Sequence, residues 1–263
     1  MRYLIPAVFL ALPAAAQERH DCVIEPFMVL EVGAAIEGIV ESVNMTRGAT
    51  VKTGDVLATL EANVERETLR LAETQARSTV AVEIARSRVN LARIERDRAV
   101  ELVKRNAGTE SNRDLAEAAL RQAELEVVQA LEDTVLRKLE RDRAQAILER
   151  RTVRSPINGV LLRRLIGPGE YVYSQAQIAQ IATVDPLYVD VFLPTELYDA
   201  IAIGQIGTVR PAAPIEGIYQ AEVTAIDNVF DAASDTFGVR LKMPNPDNLL
   251  PAGVDCTIEF PSG

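Results

Sequence analysis

The sequence predicts an α+β multidomain protein in which a long antiparallel α-helical hairpin interrupts a small β-module, and a small antiparallel β-barrel follows. Three observations predict this fold. Residues 63–150 have the composition of a coiled coil, and short glycine-punctuated β-runs of similar sequence lie on both sides of them. Further short strand runs fill the C-terminal third.

The predicted hairpin begins with an unusually uninterrupted helical stretch. Between Gly54 and Pro156 there is no proline, a single glycine (Gly108) and no aromatic residue. Gly108 lies near the middle, in a short run of Asn, Thr and Ser residues that is typical of a helix end followed by a new N-cap, for which Thr109 or Ser111 is suitable. We therefore predict two helices of roughly 40 residues, each on the order of 60 Å long.

We place the contact between the two helices on their aliphatic residues, which recur at mixed three- and four-residue spacings, as in an antiparallel coiled coil. A helical bundle that folds back on itself is the alternative, but a bundle needs a wider apolar face than this. The predicted contact residues are Leu69, Ala76, Val80, Ile84, Leu91, Ile94 and Leu102 in the first helix, and Leu115, Ala118, Leu125, Leu136, Leu139 and Ala146 in the second.

A repeated β-motif flanks the predicted hairpin. Residues 36–40 and 157–161 share a central glycine between apolar residues, and Gly54-Asp55 in the first copy corresponds to Gly169-Glu170 in the second. Such self-similarity indicates two half-motifs of one unit, split by an insertion. We expect them to pack as one β-sandwich, with the two ends of the hairpin close together.

The segment after residue 183 has the pattern of a small antiparallel barrel. Residues 187–193 alternate as a half-buried strand should, and four further strand runs are separated by turns rich in Pro, Gly and Asn. These runs are residues 207–210, 218–226, 237–243 and 254–260.

The net charge and the N-terminal sequence limit the partners and the cellular compartment that the sequence allows. The formal net charge is −10, and the chain has no basic surface of the kind that nucleic-acid binding requires, so we expect no nucleic-acid partner. Arg2, an apolar run over residues 3–12 and the alanines that end at Ala16 predict an export signal cleaved after residue 16. Cys22 is preceded by charged residues, so we expect no lipid on it.

The residues needed for catalysis, metal binding or a swinging arm are scarce. His20 is the single histidine, so no ordinary zinc or copper ligand set and no nucleophile–base pair can be assembled. Lys52 reads as a turn residue and not as a modifiable lysine. We therefore predict no enzymatic activity, no metal site and no cofactor. Cys22 and Cys256 are candidates for a disulfide, with two unpaired thiols as the alternative.

With these elements in order, the chain resembles the periplasmic adaptor proteins (membrane fusion proteins) of tripartite efflux pumps, of the RND-type adaptor family. The split motif resembles a lipoyl carrier domain, so the resemblance implies a hairpin inserted in a lipoyl-like barrel-sandwich hybrid. The residues that carry the resemblance in the barrel are Leu187-Tyr188-Val189, Glu196, Gly204-Gln205, Val239-Arg240-Leu241 and, most specifically, residues 245–253.

The resemblance also implies a contact site at the hairpin tip. The family carries an Arg, a Leu four residues on and a Ser seven further, which contact an outer-membrane channel. Arg98, Leu102 and Thr109 stand at those spacings, with Thr in place of Ser. Without the resemblance, Leu102 would pack between the helices and Arg98 would be a solvated charge beside Glu95 or Glu101.

We expect five segments: a signal peptide (1–16), an N-terminal strand with the first half-motif (17–61), the hairpin (62–152), the second half-motif (153–183) and the barrel (184–263). The family's membrane-proximal domain has no counterpart here, so the barrel or a second adaptor is expected to contact the inner-membrane transporter, of RND or ATP-driven (ABC) type. The resemblance further implies a periplasmic, homo-oligomeric ring. A periplasmic coiled-coil chaperone or scaffold is the alternative function.

Overall fold

A computed structural model describes residues 18–261, so the predicted signal peptide lies outside the described residues. Within these residues, twelve strands and three α-helices follow one another in chain order, with short 3-10 helices over Thr195–Ala200 and Pro246–Asn248. The elements are β1 (Arg19–Gly33), β2 (Gly38–Val43), β3 (Thr50–Val51), β4 (Val56–Leu60), α1 (Asn63–Arg77), α2 (Val80–Lys104), α3 (Glu110–Glu149), β5 (Thr152–Arg154), β6 (Gly159–Arg164), β7 (Tyr171–Val172), β8 (Gln177–Pro194), β9 (Ile206–Pro211), β10 (Tyr219–Ile226), β11 (Thr236–Met243) and β12 (Val254–Glu259).

The two half-motifs form one β-sandwich by exchanging strands. In the first half, β2 pairs with β7 and β3 with β6, so each of these strands is bonded to one from the second half. Gly54 (φ 92°) and Gly169 (φ 83°) occupy equivalent turns with positive φ, where a residue with a Cβ would be strained. Leu57, Leu60 and Leu161 are buried in the shared core. The split β-module predicted from the repeat is confirmed.

The barrel is closed by β1, the N-terminal strand that was expected in one segment with the first half-motif. The strand order is β1-β12-β9-β10-β11-β8, and β1 also pairs with β8 to close the circle. The N-terminal part of β1 lies in the barrel and its C-terminal part in the sandwich, and β8 likewise runs without interruption from one to the other. The barrel core contains Ile24, Val189, Phe237, Leu241 and Ile258, each at most 1% exposed.

The hairpin is present, and the first of its two predicted helices is interrupted. Residues Ser78 and Thr79 separate α1 from α2, whereas α3 is one continuous helix of 40 residues. Ser78 is in an extended conformation, and Thr79 precedes α2. Both α1 and α2 pack along α3, so the arrangement remains an antiparallel hairpin. Within residues 18–261 no helix is both long and apolar enough to cross a membrane.

Candidate functional site: the α-helical hairpin

The helices of the hairpin meet along a heptad pattern in which the fully buried residues are mostly alanine and valine. Along α2 and α3 most of the buried or half-buried positions recur with alternating spacings of three and four residues. We call these positions the inner seam. It comprises Val82, Ala85, Val89, Ala92, Arg96, Ala99 and Val103 of α2, and Leu120, Ala123, Val127, Ala130, Thr134, Arg137, Arg141, Ala144 and Leu148 of α3.

The helix contact predicted from the sequence is therefore wrong in register along α2 and α3, whereas Leu69 and Ala76 of α1, which were also predicted for it, are half-buried. Leu91 is 59% exposed and Leu125 is 69% exposed, and both lie on the side of their helix that faces away from the inner seam. The prediction gave the largest aliphatic residues the buried positions. In the structure, the buried residues of α2 and α3 are alanine and valine apart from Leu120, because small side chains let two helices approach closely, and most of the larger residues lie outside.

The tip of the hairpin is a tight turn with a defined cap. Thr109 is the N-cap of α3, and its Oγ1 accepts a hydrogen bond from the backbone N–H of Asn112 at 3.2 Å. At the end of α2, Asn106 adopts a positive φ of 55°, and the N–H of Ala107 donates to the carbonyl of Leu102 at 2.8 Å. A Cβ on Gly108 would lie 3.0 Å from the Cβ of Leu102, so glycine lets the turn close tightly.

The three residues expected to bind a channel lie at or near this turn. Arg98 and Leu102 lie in the last two turns of α2, Thr109 begins α3, and all three are exposed. Leu102 is 43% exposed and is not part of the inner seam. Within residues 18–261, no carboxylate lies within ion-pair distance of Arg98, and Glu101 is instead paired with Arg105 at 2.9 Å.

The base of the hairpin is fixed to the sandwich by Arg151. Its Nη2 donates to Glu65 Oε1 at 2.5 Å, and its Nη1 donates to the backbone carbonyl of Glu37 at 3.1 Å. A Cβ on Gly38 would lie 2.7 Å from the same Nη1, so the glycine leaves room for the guanidinium. This contact joins the start of α1, the strand after α3 and the first half-motif.

The electrostatics of this contact favour the ionised pair. Burial of Glu65 opposes ionisation, but the hydrogen bond and the positive charge of Arg151 outweigh burial and hold the pKa of the Glu65 carboxyl below its usual value. The pairing of Glu65 with Arg151 was not predicted from the sequence. The signal for it was present in the two arginines at the end of α3, next to the strand that re-enters the sandwich.

The other candidate residues lie away from the hairpin. Cys22 of β1 and Cys256 of β12 are directly opposite in the strand register, with a Cα–Cα distance of 4.8 Å, and their sulfur atoms are bonded. Near the same strand pair, Glu259 accepts from Arg19 at 2.6 Å and pairs with Arg210 at 2.7 Å, and both contacts hold the pKa of Glu259 below its usual value.

The described residues offer no assembled centre for a metal ion. Within residues 18–261, no three His, Cys, Asp or Glu side chains come together as a metal site would require. His20 is in β1 opposite Ile258 of β12, and Lys52 lies in a turn where its N–H donates to Asp55 at 2.7 Å.

Comparisons with known proteins identify the sandwich and the fold. The family model described as "CzcB-like, barrel-sandwich hybrid domain" matches residues 28–183. An uncharacterized protein of Haemophilus influenzae is 26% identical over 203 residues, which cover 77% of this chain and 46% of that protein. The cobalt-zinc-cadmium resistance protein CzcB of Cupriavidus metallidurans is 22% identical over 224 residues, which cover 85% of this chain and 41% of CzcB. The chain thus spans less than half the length of these curated relatives.

Solved structures share the architecture at low sequence identity. MacA from Actinobacillus actinomycetemcomitans matches with a TM-score of 0.74 at 20% identity, over 94% of this chain and 79% of MacA. ZneB from Cupriavidus metallidurans matches with a TM-score of 0.50 at 24% identity, over 93% of this chain and 98% of ZneB. At these identities the likeness establishes the fold.

Proposed function

Because the chain belongs to the family of CzcB-like barrel-sandwich hybrid proteins, the membrane fusion adaptors of efflux systems, we propose that it links an inner-membrane transporter to an outer-membrane channel as a periplasmic adaptor. Adaptors of this family are non-catalytic and work together with both kinds of membrane protein. We propose the link itself, the pairing with particular partners and the assembly of copies into a ring.

One observation carries this proposal. The helical hairpin, from the start of α1 to the end of α3, is inserted between two halves of the sandwich that remain bonded to each other. The N–H of Leu60, just before the hairpin, donates to the carbonyl of Arg151, just after it, at 2.8 Å. Helices held this firmly at their base can transmit force and position a tip far from the β-domains. A client-binding chaperone would need neither the split sandwich nor the barrel.

We assign contact with the outer-membrane channel to the tip of the hairpin. Arg98 supplies a charged donor without an intramolecular carboxylate partner within residues 18–261, and Leu102 supplies an exposed aliphatic side chain. Thr109 contributes through its N-cap, which sets where α3 starts. The barrel, or a second adaptor, would contact the transporter at the other end.

Crosslinking in cells tests the tip assignment. Cysteines placed at Arg98 and at Thr109 are expected to capture an outer-membrane channel, whereas a cysteine at Glu67, near the base of the hairpin, is the matched control and should not. Capture of unfolded client proteins alone would favour the chaperone and contradict the adaptor role.

A functional assay separates contact from folding. Arg98→Ala and Leu102→Ala are expected to reduce efflux at least tenfold while the Tm stays within about 2 °C of the unchanged protein, because both side chains are exposed. Thr109→Ser keeps the capping hydroxyl and is the control that should retain efflux. If the Tm of these variants falls together with their efflux, Arg98 and Leu102 have a structural role and the tip assignment is wrong.

A further inference from the structure

A cleft with a volume of about 390 Å³ opens where the barrel meets the sandwich. One wall belongs to β6 of the sandwich, and the opposite wall belongs to the loop between β11 and β12, residues 244–253, which we call the clasp loop. The apolar side chains of these walls include Val160, Leu162, Leu250 and Ala252. A cleft of this volume is within the size range of small-molecule binding sites.

The clasp loop is pinned at both ends, so it does not close the cleft. Near its start, Asn245 is 2% exposed, and its Nδ2 donates to the carbonyls of Val184 and Leu250 at 2.8 and 2.9 Å. The Oδ1 of the same amide accepts from the N–H of Leu250 at 2.9 Å. Near the end of the loop, the N–H of Gly253 donates to the carbonyl of Ile24 at 2.7 Å. Movement of the loop into the cleft would break these hydrogen bonds at a cost, so the cleft is preformed.

The two strands that join the domains also keep the cleft open. The pairing of β1 with β8 shifts between Pro26 and Met28, where residues 184–186 of β8 lie opposite Phe27 alone. A bulge of this kind bends a strand and increases its local twist. Val184 belongs to the bulge and also lines the cleft, so the space lies at the bend between the two domains.

The chemistry of the lining favours a neutral and mainly apolar occupant. Among the described residues no charged side chain lines the cleft, and Asn248 supplies the one polar side chain. A charged group in the cleft would lose hydration without gaining a partner. Asn248 is exposed, so its amide can donate and accept hydrogen bonds at the rim. Leu249, which is 75% exposed, extends the apolar surface beside it.

We propose that this cleft binds a small neutral molecule that has an apolar body and one hydrogen-bonding group. The apolar body packs between Leu162 and Leu250, and the polar group bonds to the side chain of Asn248. A second copy of the chain fits less well, because a specific protein interface uses roughly 20–30 residues a side and ten residues line this cleft. The site lies in the β-domains and is independent of the proposed adaptor role.

A matched pair of fluorescent probes tests the site on the purified chain. N-phenyl-1-naphthylamine is neutral, carries one N–H and becomes brighter in apolar surroundings. We expect it to bind saturably with a Kd between about 10 µM and 1 mM, as is usual for a molecule of this size. Its anionic counterpart, 8-anilinonaphthalene-1-sulfonate, adds a sulfonate to the same rings and should bind at least tenfold more weakly.

Three results of the probe titration would overturn the proposal. These are the absence of saturable binding, equal binding of the neutral and the anionic probe, and weaker binding at higher protein concentration. The last result would assign the cleft to a second copy of the chain.

Two substitutions fill the cleft from opposite walls. Ala252→Trp and Val160→Phe should each weaken binding of the neutral probe at least tenfold, while the Tm stays within about 3 °C of the unchanged chain because the added atoms enter the cleft. Asn248→Ala should weaken it about threefold to tenfold through loss of the polar contact. Ala119→Trp, on the exposed surface of α3, is the control and should bind the probe as the unchanged chain does. Unchanged probe binding by a folded Ala252→Trp or Val160→Phe chain would contradict the proposal.

Energy transfer locates the bound probe without filling the cleft. The chain has no tryptophan, so a single Leu249→Trp substitution beside the cleft supplies a donor for N-phenyl-1-naphthylamine. Ala119→Trp should give no transfer, because residue 119 lies 30 residues before Glu149 at the end of α3, about 45 Å along the helix. Transfer from neither variant, or equal transfer from both, would place the probe outside the cleft and overturn the proposal.

Discussion

At the scale of single residues, Arg151 shows how the hairpin is held in a defined direction. Its guanidinium joins Glu65 at the start of α1 to the backbone of Glu37 in the sandwich, and both members of the ion pair are largely buried, with side chains 23% and 17% exposed. Removing either partner leaves an unpaired group in a poorly solvated place, which costs more than loss of a surface ion pair.

Glu65→Gln should lower stability in a way that depends on pH. The pKa of Glu65 is depressed in the folded protein, so its contribution is fully present above the unfolded pKa and is lost as pH falls through the lower folded pKa. At pH 7 we expect a loss of about 1 kcal/mol, seen in thermal unfolding followed by circular dichroism. As the pH falls through the lowered pKa of Glu65, the difference from the unchanged protein should shrink.

The matched control for this prediction is Glu67→Gln. Glu67 pairs with Arg70 on the open surface of the same helix at 2.7 Å, and such pairs contribute little. Equal effects of the two substitutions at pH 7, or a Glu65→Gln effect that does not shrink as the Glu65 carboxyl becomes protonated, would show that Arg151 does not act through the ionised pair.

At the scale of elements, the hairpin shows which part of a coiled coil a sequence reveals. The existence of the helices followed from the missing prolines and the lone Gly108. The register did not, because two heptad stripes run along α2 and the more hydrophobic one is exposed. Apolar size alone therefore did not predict which face of α2 is buried. The break at Ser78 and Thr79 had no glycine or proline to indicate it.

Substitutions in the inner seam and on the exposed side of the same helix should differ in their effect on the stability of the isolated chain. Ala123 is 7% exposed in the inner seam, so Ala123→Leu overfills the contact and should destabilise the helices by about 1–3 kcal/mol. Leu125 is 69% exposed, so Leu125→Ala should change stability by less than about 0.5 kcal/mol. Thermal unfolding at 222 nm, at concentrations too low for association, measures both. A larger loss of stability for Leu125→Ala than for Ala123→Leu would support the register predicted from the sequence.

At the scale of the whole molecule, the barrel and the sandwich are joined through shared strands. The repeat around Gly38 and Gly159 was sufficient to predict one sandwich split by an insertion. The role of β1 was harder to predict, because its barrel partner β12 lies at the other end of the chain and local pattern carries no information on such pairing. Cys22 and Cys256 were the one clue, since their bonded pair lies in that strand register.

The β-domains should fold without the hairpin. β4 and β5 are adjacent antiparallel strands, with Thr59 opposite Thr152, so a short Gly-Ser turn can replace residues 63–149 without moving either strand. The inner seam is separate from both β-cores, so its removal takes few contacts from them. The shortened protein should therefore keep its strand signal in circular dichroism and unfold within about 5 °C of the β-transition of the full chain, since a ΔΔG of about 1 kcal/mol shifts Tm by only a few degrees at this size. Efflux should be abolished, and aggregation of the shortened protein would show instead that the helices are needed to form the sandwich.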